Sequence, residues 1–530
     1  MKKIYVYDKE LGIAGIEDPS SKMRAYTLLQ QPGIKKAAFN AYTGARYSRS
    51  DKSAFEILKE VVKTVLGKGI TADEFASERL DNVVNTYGHP SVADMSHNFV
   101  CIENIPMVTM MRFFYLNPKQ DGQERSTRFQ DFSKPNFYIT SNREGDEEYR
   151  GILDESIAAY NSLKEETYST LKSVFKIDEN NKKEVSALEA RTFDTVRFLI
   201  PMGMRTSGCA VMSSRDWARY IGLMRGSNQI AEQQIGELLF ELLLGSEALS
   251  NLGYVPESDV LIKHAEANTS HETTFTKLKA ALAKHCNFSS VELASALHLK
   301  GVFTTPAPTA FVDHVMLLMS TEVIGFGKNW GEYLDIEFFR QASEIIFDKH
   351  YHYNQVGPAF QMGSLCIKSA SDLGSMKDFN RHRSLERFIP FCENTIEIPI
   401  LLSNGYGLCE YLYQSGMENI KKQYETALDS IYQKIRALAA KPEYTLEEIR
   451  NLLPHANLTP YRLYGSLDDL MYVQKLRVRP GGHINYRMEV DRWRTWFLNN
   501  SKIFGLSELW RNIGIQSPNP ASHDEFIDRS

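Results

Sequence analysis

The chain has 530 residues, more than one hydrophobic core usually serves, so two domains are expected. Its 43% hydrophobic and 24% charged residues describe a soluble globular protein, and a net charge of −5 excludes a global basic field that would recruit nucleic acid. Any anionic ligand must be held by local arginines.

In chain order, Met1-Lys-Lys-Ile-Tyr-Val-Tyr-Asp8 has no apolar core behind its lysines, so no signal peptide is expected. Phe55, Leu58, Val61, Val62 and Val65 share one face of a helix predicted from Ala54 to Leu66, closed by Gly67. Asn98 to Ile102 reads as a strand, and Met107, Met110 and Met111 read as packing residues. Tyr149 to Phe175 is an amphipathic helix and Asn228 to Leu244 a core helix. The domain boundary is expected in Gly253-Tyr-Val-Pro-Glu-Ser258 or shortly after, giving domains 1–260 and 261–530.

Phe311 to Gly325 is the most apolar stretch, but Asp313, His314 and Glu322 interrupt it and it is too short to span a membrane. His350 and His352 would face apart on a helix, so with His314 they read as surface or core histidines, and no metal is expected. Met362 to Ile367 reads as a strand, and Met417 to Leu438 as a helix placed like Tyr149 to Phe175. Thr445-Leu-Glu-Glu448 has the pattern of a capping box. Gly481-Gly482 reads as a turn, and Ser517 to Ser522 as a loose tail. Cys101, Cys209, Cys286, Cys366, Cys392 and Cys409 form no CxxC pair, which fits a reducing cytoplasm.

Two segments repeat. Val196-Arg-Phe-Leu-Ile-Pro and Ile449-Arg-Asn-Leu-Leu-Pro share the pattern Arg-x-Leu-apolar-Pro-x4-Thr, with 450 − 197 = 253 and 459 − 206 = 253. A later arginine pair, Arg225 and Arg477, keeps nearly the same offset (477 − 225 = 252). This spacing suggests duplication of a whole domain rather than a short solenoid repeat.

The densest cationic run is Arg381-His382-Arg383. Three such side chains in a row repel one another, and an anion among them would offset that cost. A second half-motif lies upstream, Glu124-Arg-Ser-Thr-Arg128-Phe129. Glu124 and Arg128 are four residues apart, which also suits a plain helical ion pair.

On these segments the chain resembles the flavin-dependent thymidylate synthases, whose signature is Arg-His-Arg, a short loop, then Glu-x-Ser-x-Arg-Tyr. The signature is split here. The first half has Gly88-His89-Pro-Ser91-Val-Ala-Asp94 and Glu124-x-Ser126-x-Arg128-Phe129, but reads Phe114-Tyr-Leu-Asn117 where Arg-His-Arg would fall. The second half has Arg381-His382-Arg383 without a following Glu-x-Ser-x-Arg, and Gly357 to Gln361 in place of the histidine segment. Gly44-Ala-Arg-Tyr-Ser48 is similar to the family's N-terminal Ala-Arg-x-Ser.

The resemblance implies an α+β fold: two tandem domains, each a mixed or antiparallel sheet with packed long helices. It implies reductive methylation of dUMP to dTMP, with methylenetetrahydrofolate as carbon donor, FAD as cofactor and NADPH as reductant. Arg477 or Arg225 would then be the catalytic, ring-activating arginine. Glu124, Ser126, Arg128, Arg197 and Arg450 would bind substrate. Arg381, His382, Arg383, His89, Ser91, Ser213 and Arg215 would hold the flavin. Ser213 and Arg219 stand where the family commonly has asparagines. No cysteine follows a proline, unlike the classical thymidylate synthases.

Family sites lie between subunits of a tetramer, so the split implies composite sites shared by the two repeats. A homodimer would make a pseudo-tetramer, with no nucleic-acid or membrane partner. Two alternatives stay open: a flavoenzyme making another 5-substituted pyrimidine nucleotide, or a catalytically decayed nucleotide-binding scaffold.

Overall fold

The computed structural model describes residues 2–9, 13–28, 41–42, 54–70, 72–81, 90–127, 131–256, 259–286, 365–499 and 516–528. Its strands are β1 (Ile4–Asp8), β2 (Ile13–Glu17), β3 (Arg24–Leu28), β4 (His97–Pro106), β5 (Asp121–Glu124), β6 (Arg205–Ser213), β7 (Leu365–Asp372), β8 (Glu386–Phe388) and β9 (Leu458–Gly465). The helices that frame them are α1 (Ala54–Lys68), α2 (Ala72–Asp81), α3 (Met107–Leu116), α4 (Glu147–Val174), α5 (Lys182–Val196), α6 (Ser214–Arg225) and α7 (Ile230–Leu244). Further along come α8 (Ser270–Cys286), α9 (Leu373–Phe379), α10 (Glu418–Ala439), α11 (Leu446–Leu452), α12 (Leu467–Arg477) and α13 (Ile484–Asn499).

These elements fall into two compact units. The first comprises Met1–Arg125, Asn136–Glu144 and Gly203–Asn287; the second comprises Ser126–Pro135, Gly145–Met202 and Phe288–Ser530. The expected halves, 1–260 and 261–530, follow the sequence offset of 253 residues. The compact units depart from them, because α4 and α5 of the first half belong to the second unit.

The first unit holds a six-stranded antiparallel sheet in the order β1-β2-β3-β4-β6-β5. Alternate residues of each strand face one side. Ala14, Ile16, Ala25, Val100, Ile102, Ala210 and Met212 thereby enter one core with Trp217 and Ile221 of α6 and Leu238, Leu239 and Leu242 of α7. Met107, Met110 and Met111 are buried, as packing residues should be. Val61, Phe75, Ala76 and Leu80 of α1 and α2 form a separate small core.

In the second unit, β7, β9 and β8 form an antiparallel sheet with β9 central. The long helices α4 and α10 pack together. Their buried stripes include Leu153, Tyr160 and Leu171 on α4 and Tyr424, Leu428, Ile431 and Ile435 on α10. Between them Thr167 Oγ1 and Tyr424 Oη are 2.9 Å apart. The capping box at α11 forms: Glu448 N–H donates to Thr445 Oγ1 (3.3 Å) and Thr445 N–H to Glu448 Oε2 (2.7 Å).

The three-strand order recurs. Within the larger sheet β4 and β5 flank β6, as β7 and β8 flank β9. A helix follows each member of both trios' first and last strands: α3 after β4, α6 after β6, α9 after β7, α12 after β9.

The two Arg-x-Leu-apolar-Pro segments meet inside the second unit. Pro201 faces Pro454 as an antiparallel bridge partner. His455 N–H donates to Ile200 O (2.9 Å), and Met202 N–H donates to Leu453 O (2.8 Å). The differences 454 − 201, 455 − 202 and 453 − 200 are all 253, so the repeat offset exchanges the two bonds. Reciprocal pairing of this kind is the relation found in isologous interfaces.

The tail continues past the segment expected to be loose, Ser517 to Ser522, into a docked turn at His523–Ile527. Phe526 stacks on Phe175 (centroids 3.9 Å apart), and Asn519 N–H donates to Glu525 Oε2 (3.1 Å). The tail also supplies acceptors to two buried arginines, which composition alone does not reveal. Residues 362–364 of the expected strand lie outside the described residues, as do Phe311 to Gly325, His314, His350 and His352. Among the described residues no helix is long and apolar enough to cross a membrane.

Leu428 on α10 is fully buried, whereas Lys434 on the same helix makes an exposed 2.6 Å ion pair with Glu155. Leu428→Ala should therefore lower stability by about 2–5 kcal/mol through lost burial and a cavity. Lys434→Ala should cost at most about 1 kcal/mol. Urea unfolding midpoints check the ranking, and equal shifts would count against it.

Candidate active site

The site is built around α9. Asp372 caps this helix, accepting from Ser375 N–H and from Ser375 Oγ, both at 2.8 Å. The helix ends at Phe379, whose ring sits among Tyr461, Tyr486 and Trp493 at 4.4–5.4 Å. That apolar anchor fixes the turn that follows. His382 N–H donates to Phe379 O (3.1 Å), so His382 is buried while Arg381 and Arg383 on either side are exposed.

The buried imidazole holds a cation. Arg477, at the end of α12, places Nε 2.9 Å from His382 Nε2. Arginine has no acceptor, so Nε2 accepts and the imidazole proton sits on Nδ1. Tyr486 Oη lies 2.6 Å from the same nitrogen, and the Tyr486 ring is 5.4 Å from the Arg477 guanidinium. Burial, reinforced by Arg477, holds His382 well below the ordinary histidine range. The ring is therefore neutral, and it orients Arg477 without cancelling its charge.

Arg381 Nη2 lies 3.7 Å from Asp378, whose side chain is 14% exposed. Burial pushes this carboxyl up, but Arg381, Arg197 and Arg477 outweigh it and leave the group below its usual range. Arg381 and Arg477 come from the second sequence half and Arg197 from the first. Arg197 is 3% exposed and donates from Nη1 to Thr127 Oγ1 (3.2 Å). Its Nε and Nη2 are buried without a hydrogen-bond partner among the described residues. A Cβ at Gly374 would lie 3.4 Å from each of these nitrogens, so glycine there leaves the guanidinium its room. Burial raises the neighbouring Asp372 carboxyl despite Arg197 and the Ser375 bonds. A buried guanidinium with idle donors is costly, and a bound anion would remove that cost.

The repeat counterparts differ. Arg450 donates to Asn394 Oδ1 (2.8 Å) and to Glu393 O, and lies over Phe391. Arg225 pairs with Glu237 (2.8 Å), donates to Ala265 O (3.0 Å) and lies 3.8 Å from the Phe240 centroid. In the first unit a buried pair, Arg112 with Glu232 at 2.6 Å, further fills the interior beneath α6 and α7.

Of the residues expected from sequence, the second unit thus brings together Arg197, Arg381, His382 and Arg477. Ser126 and Arg383 belong to the same unit. Glu124, Ser91, Ser213, Arg215 and Arg225 belong to the first. Ser213 caps α6 through Asp216 N–H (3.1 Å), and Arg215 pairs with Asp94 at 3.0 Å. Glu124 closes β5, and Ser91 lies in the turn Pro90–Met95. Arg128 and His89 lie outside the described residues.

Four contributors were not anticipated: Thr127, Asp378, His455 and Tyr486. Asp378 stands three residues before Arg381, a helical spacing that could have flagged it. Tyr486 carries no such signal. His455 is fully buried and its Nδ1 bonds Ile200 O at 2.7 Å. Burial, then Lys377 and Arg197, hold its ring well below the ordinary range.

Burial pushes Cys101 up to about 11, with Cys209 opposite adding to it, and Cys409 up to about 12, so neither offers a ready thiolate. Among the described residues no group of three or more His, Cys, Asp or Glu is arranged to hold a metal ion.

Residues 32–244 match the family model described as thymidylate synthase complementing protein. The match supports classification as a flavin-dependent thymidylate synthase-type enzyme, and flavin-dependent pyrimidine-nucleotide chemistry is consistent with it. The matched segment includes Thr127 and Arg197 but ends before Arg381 and Arg477. A UPF0159 protein of Chlamydia pneumoniae is 21% identical over 477 residues, covering 84% of this chain and 85% of that protein. That similarity therefore runs through both sequence halves.

The buried neutral histidines set a pH dependence. Their folded values are depressed, so below about 6.5 the unfolded chain binds protons that the folded chain does not. Stability is complete above that value and declines as pH falls from it toward the depressed values. Each histidine contributes a slope of about 1.4 kcal/mol per pH unit in that window. His382→Gln should flatten the decline between about pH 6.5 and 5 by roughly one proton's worth. An unchanged slope in pH-dependent urea unfolding would show that His382 is not buried neutral.

Proposed function

We propose that the chain is a duplicated flavin-dependent thymidylate synthase that reductively methylates dUMP at one composite site per chain. The observation that carries this reading is that one unit holds Arg197, from the first repeat, with Nε and Nη2 buried without a hydrogen-bond partner among the described residues, together with Arg381 against Asp378 and Arg477 against His382, from the second. The exchanged hydrogen bonds at Ile200–Met202 and Leu453–His455 support the duplication, as does the recurring strand order.

Each group has a chemical task. The unpartnered Nε and Nη2 of Arg197 suit two oxygens of the dUMP phosphate in a bidentate contact. Uracil C5 is a weak nucleophile until negative charge is stabilised on the ring. A fixed cation at the N3/O2 edge does this, and the neutral His382 and Tyr486 orient Arg477 for it. Arg225 is partly neutralised by Glu237, and Arg450 is bonded to protein groups, so the second set of positions is structural.

FAD fits the exposed cations of the turn. Arg381 and Arg383 project on either side of buried His382, where phosphate groups of the cofactor would be held. When bound, reduced flavin supplies the hydride, with methylenetetrahydrofolate as carbon donor and NADPH as reductant. Ser126, which belongs to the same unit, would add a neutral donor to the substrate. A homodimer of such chains would contain four repeats, the number in the family's tetramer.

Turnover of dUMP by two variants tests the assignment. Arg477→Ala should lower kcat by about a hundred- to a thousand-fold, equivalent to about 3–4 kcal/mol. Nucleotide affinity should fall much less, since charge on the ring grows toward the transition state. Arg225→Ala should stay within about tenfold of the parent enzyme. A dead Arg225 variant beside a normal Arg477 variant would reverse the assignment.

A further inference from the structure

Two fully buried arginines outside the proposed site bond the loop that follows Arg477, and both also bond the C-terminal segment. Arg191 on α5 donates to Gly482 O (3.1 Å), Phe526 O (3.2 Å) and Asp528 O (2.8 Å), and its Nη1 lies 3.4 Å from Asp194. Arg487 on α13 donates to Val478 O (2.9 Å) and to Glu525 Oε2 (2.6 Å). Their exposures are 0% and 1%. Val478 and Gly482 bracket the loop between Arg477 and His483. Gly481 has φ +97°, and a Cβ at Gly482 would lie 3.3 Å from Arg487 Cγ. The loop is thus held by its carbonyls and by close packing against one arginine stem.

The tail is well fastened on its other side. Phe526 is buried between Phe175 (3.9 Å) and Tyr411 (5.3 Å), and Ser522 caps the last turn through Glu525 N–H (3.3 Å). Without the tail, Arg191 would lose two acceptors and Arg487 its carboxylate. Each would remain buried with idle donors, and each would be free to leave the loop carbonyl for another partner.

We propose that the C-terminal segment 516–528 is a strap that fixes the 478–483 loop, with Arg191 and Arg487 as positioning residues for Arg477. The effect on turnover rests on the proposed role of Arg477; the effect on the loop does not. The strap acts on the direction of the guanidinium rather than on substrate contacts. Loosening it should lower kcat and leave nucleotide binding nearly intact.

Two substitutions in the full chain test this, Glu525→Gln and Phe526→Ala, with Phe526→Leu as the conservative control. Hydrogen exchange of peptides covering 478–483 should accelerate by about tenfold or more in the first two, while α10 stays protected. In the same proteins kcat should fall by about tenfold or more, with KM for dUMP within about threefold of the parent, and Phe526→Leu should restore both. Unchanged exchange at 478–483 would overturn the strap. Faster exchange with unchanged kcat would overturn its role in positioning Arg477. Absence of turnover in the unaltered chain would instead contradict the proposed reaction, and exchange alone would then decide the strap.

Discussion

A guanidinium taken out of water must find acceptors, and the second unit is organised around that requirement. Arg191, Arg450 and Arg487 are at most 1% exposed, and each is held by backbone carbonyls or side-chain oxygens. Arg197 is 3% exposed, and among the described residues only its Nη1 has a hydrogen-bond partner, Thr127, while its other two nitrogens lie beside Gly374. On the proposed reading, the contrast separates arginines that hold the fold from one that would take an anion. It also explains why Arg450 and Arg197, equivalent in sequence, differ in chemistry. Asn394 and the Glu393 carbonyl accept from Arg450, whereas among the described residues Arg197 has Thr127 as its hydrogen-bond acceptor and the Asp372 and Asp378 carboxyls as electrostatic neighbours.

On the proposed reading, duplication followed by divergence would account for the rest of the arrangement. A pair of equal sites would require both ring-facing arginines to stay charged and both phosphate-facing arginines to stay open. Instead Arg225 pairs with Glu237 while Arg477 leans on a neutral imidazole. Each departure gives the altered position a protein partner, which favours stability there over ligand binding. The two Arg-x-Leu-apolar-Pro segments are joined by exchanged hydrogen bonds, as the contact between two repeats would be.

Much of the local structure was legible in the sequence. The periodicity of Ala54 to Leu66, Tyr149 to Phe175 and Met417 to Leu438 corresponds to helices ending within about two residues of the predicted bounds. The capping box at Thr445 followed from four residues because its chemistry is local. The constant offset led to Arg197 and Arg477, and the cationic run led to Arg381 and His382. What escaped depends on distant partners. The short N-terminal strands β1 to β3 carry little pattern of their own and form only beside β4. Ser517 to Ser522 reads as loose because Pro, Asn and Ser dominate it, and nothing in it signals that the residues just after it supply oxygens to two buried arginines. Asp378 and Tyr486 matter only through what folding brings beside them.

One nucleotide site per chain, assembled from both repeats, is the central claim. The direct measurement is calorimetric titration of the FAD-loaded protein with dUMP, repeated with Arg197→Ala and Arg450→Ala chains. The account predicts one dUMP per chain, lost in the Arg197 variant and kept in any folded Arg450 variant. Two equivalent sites per chain, or binding that survives without Arg197, would contradict it.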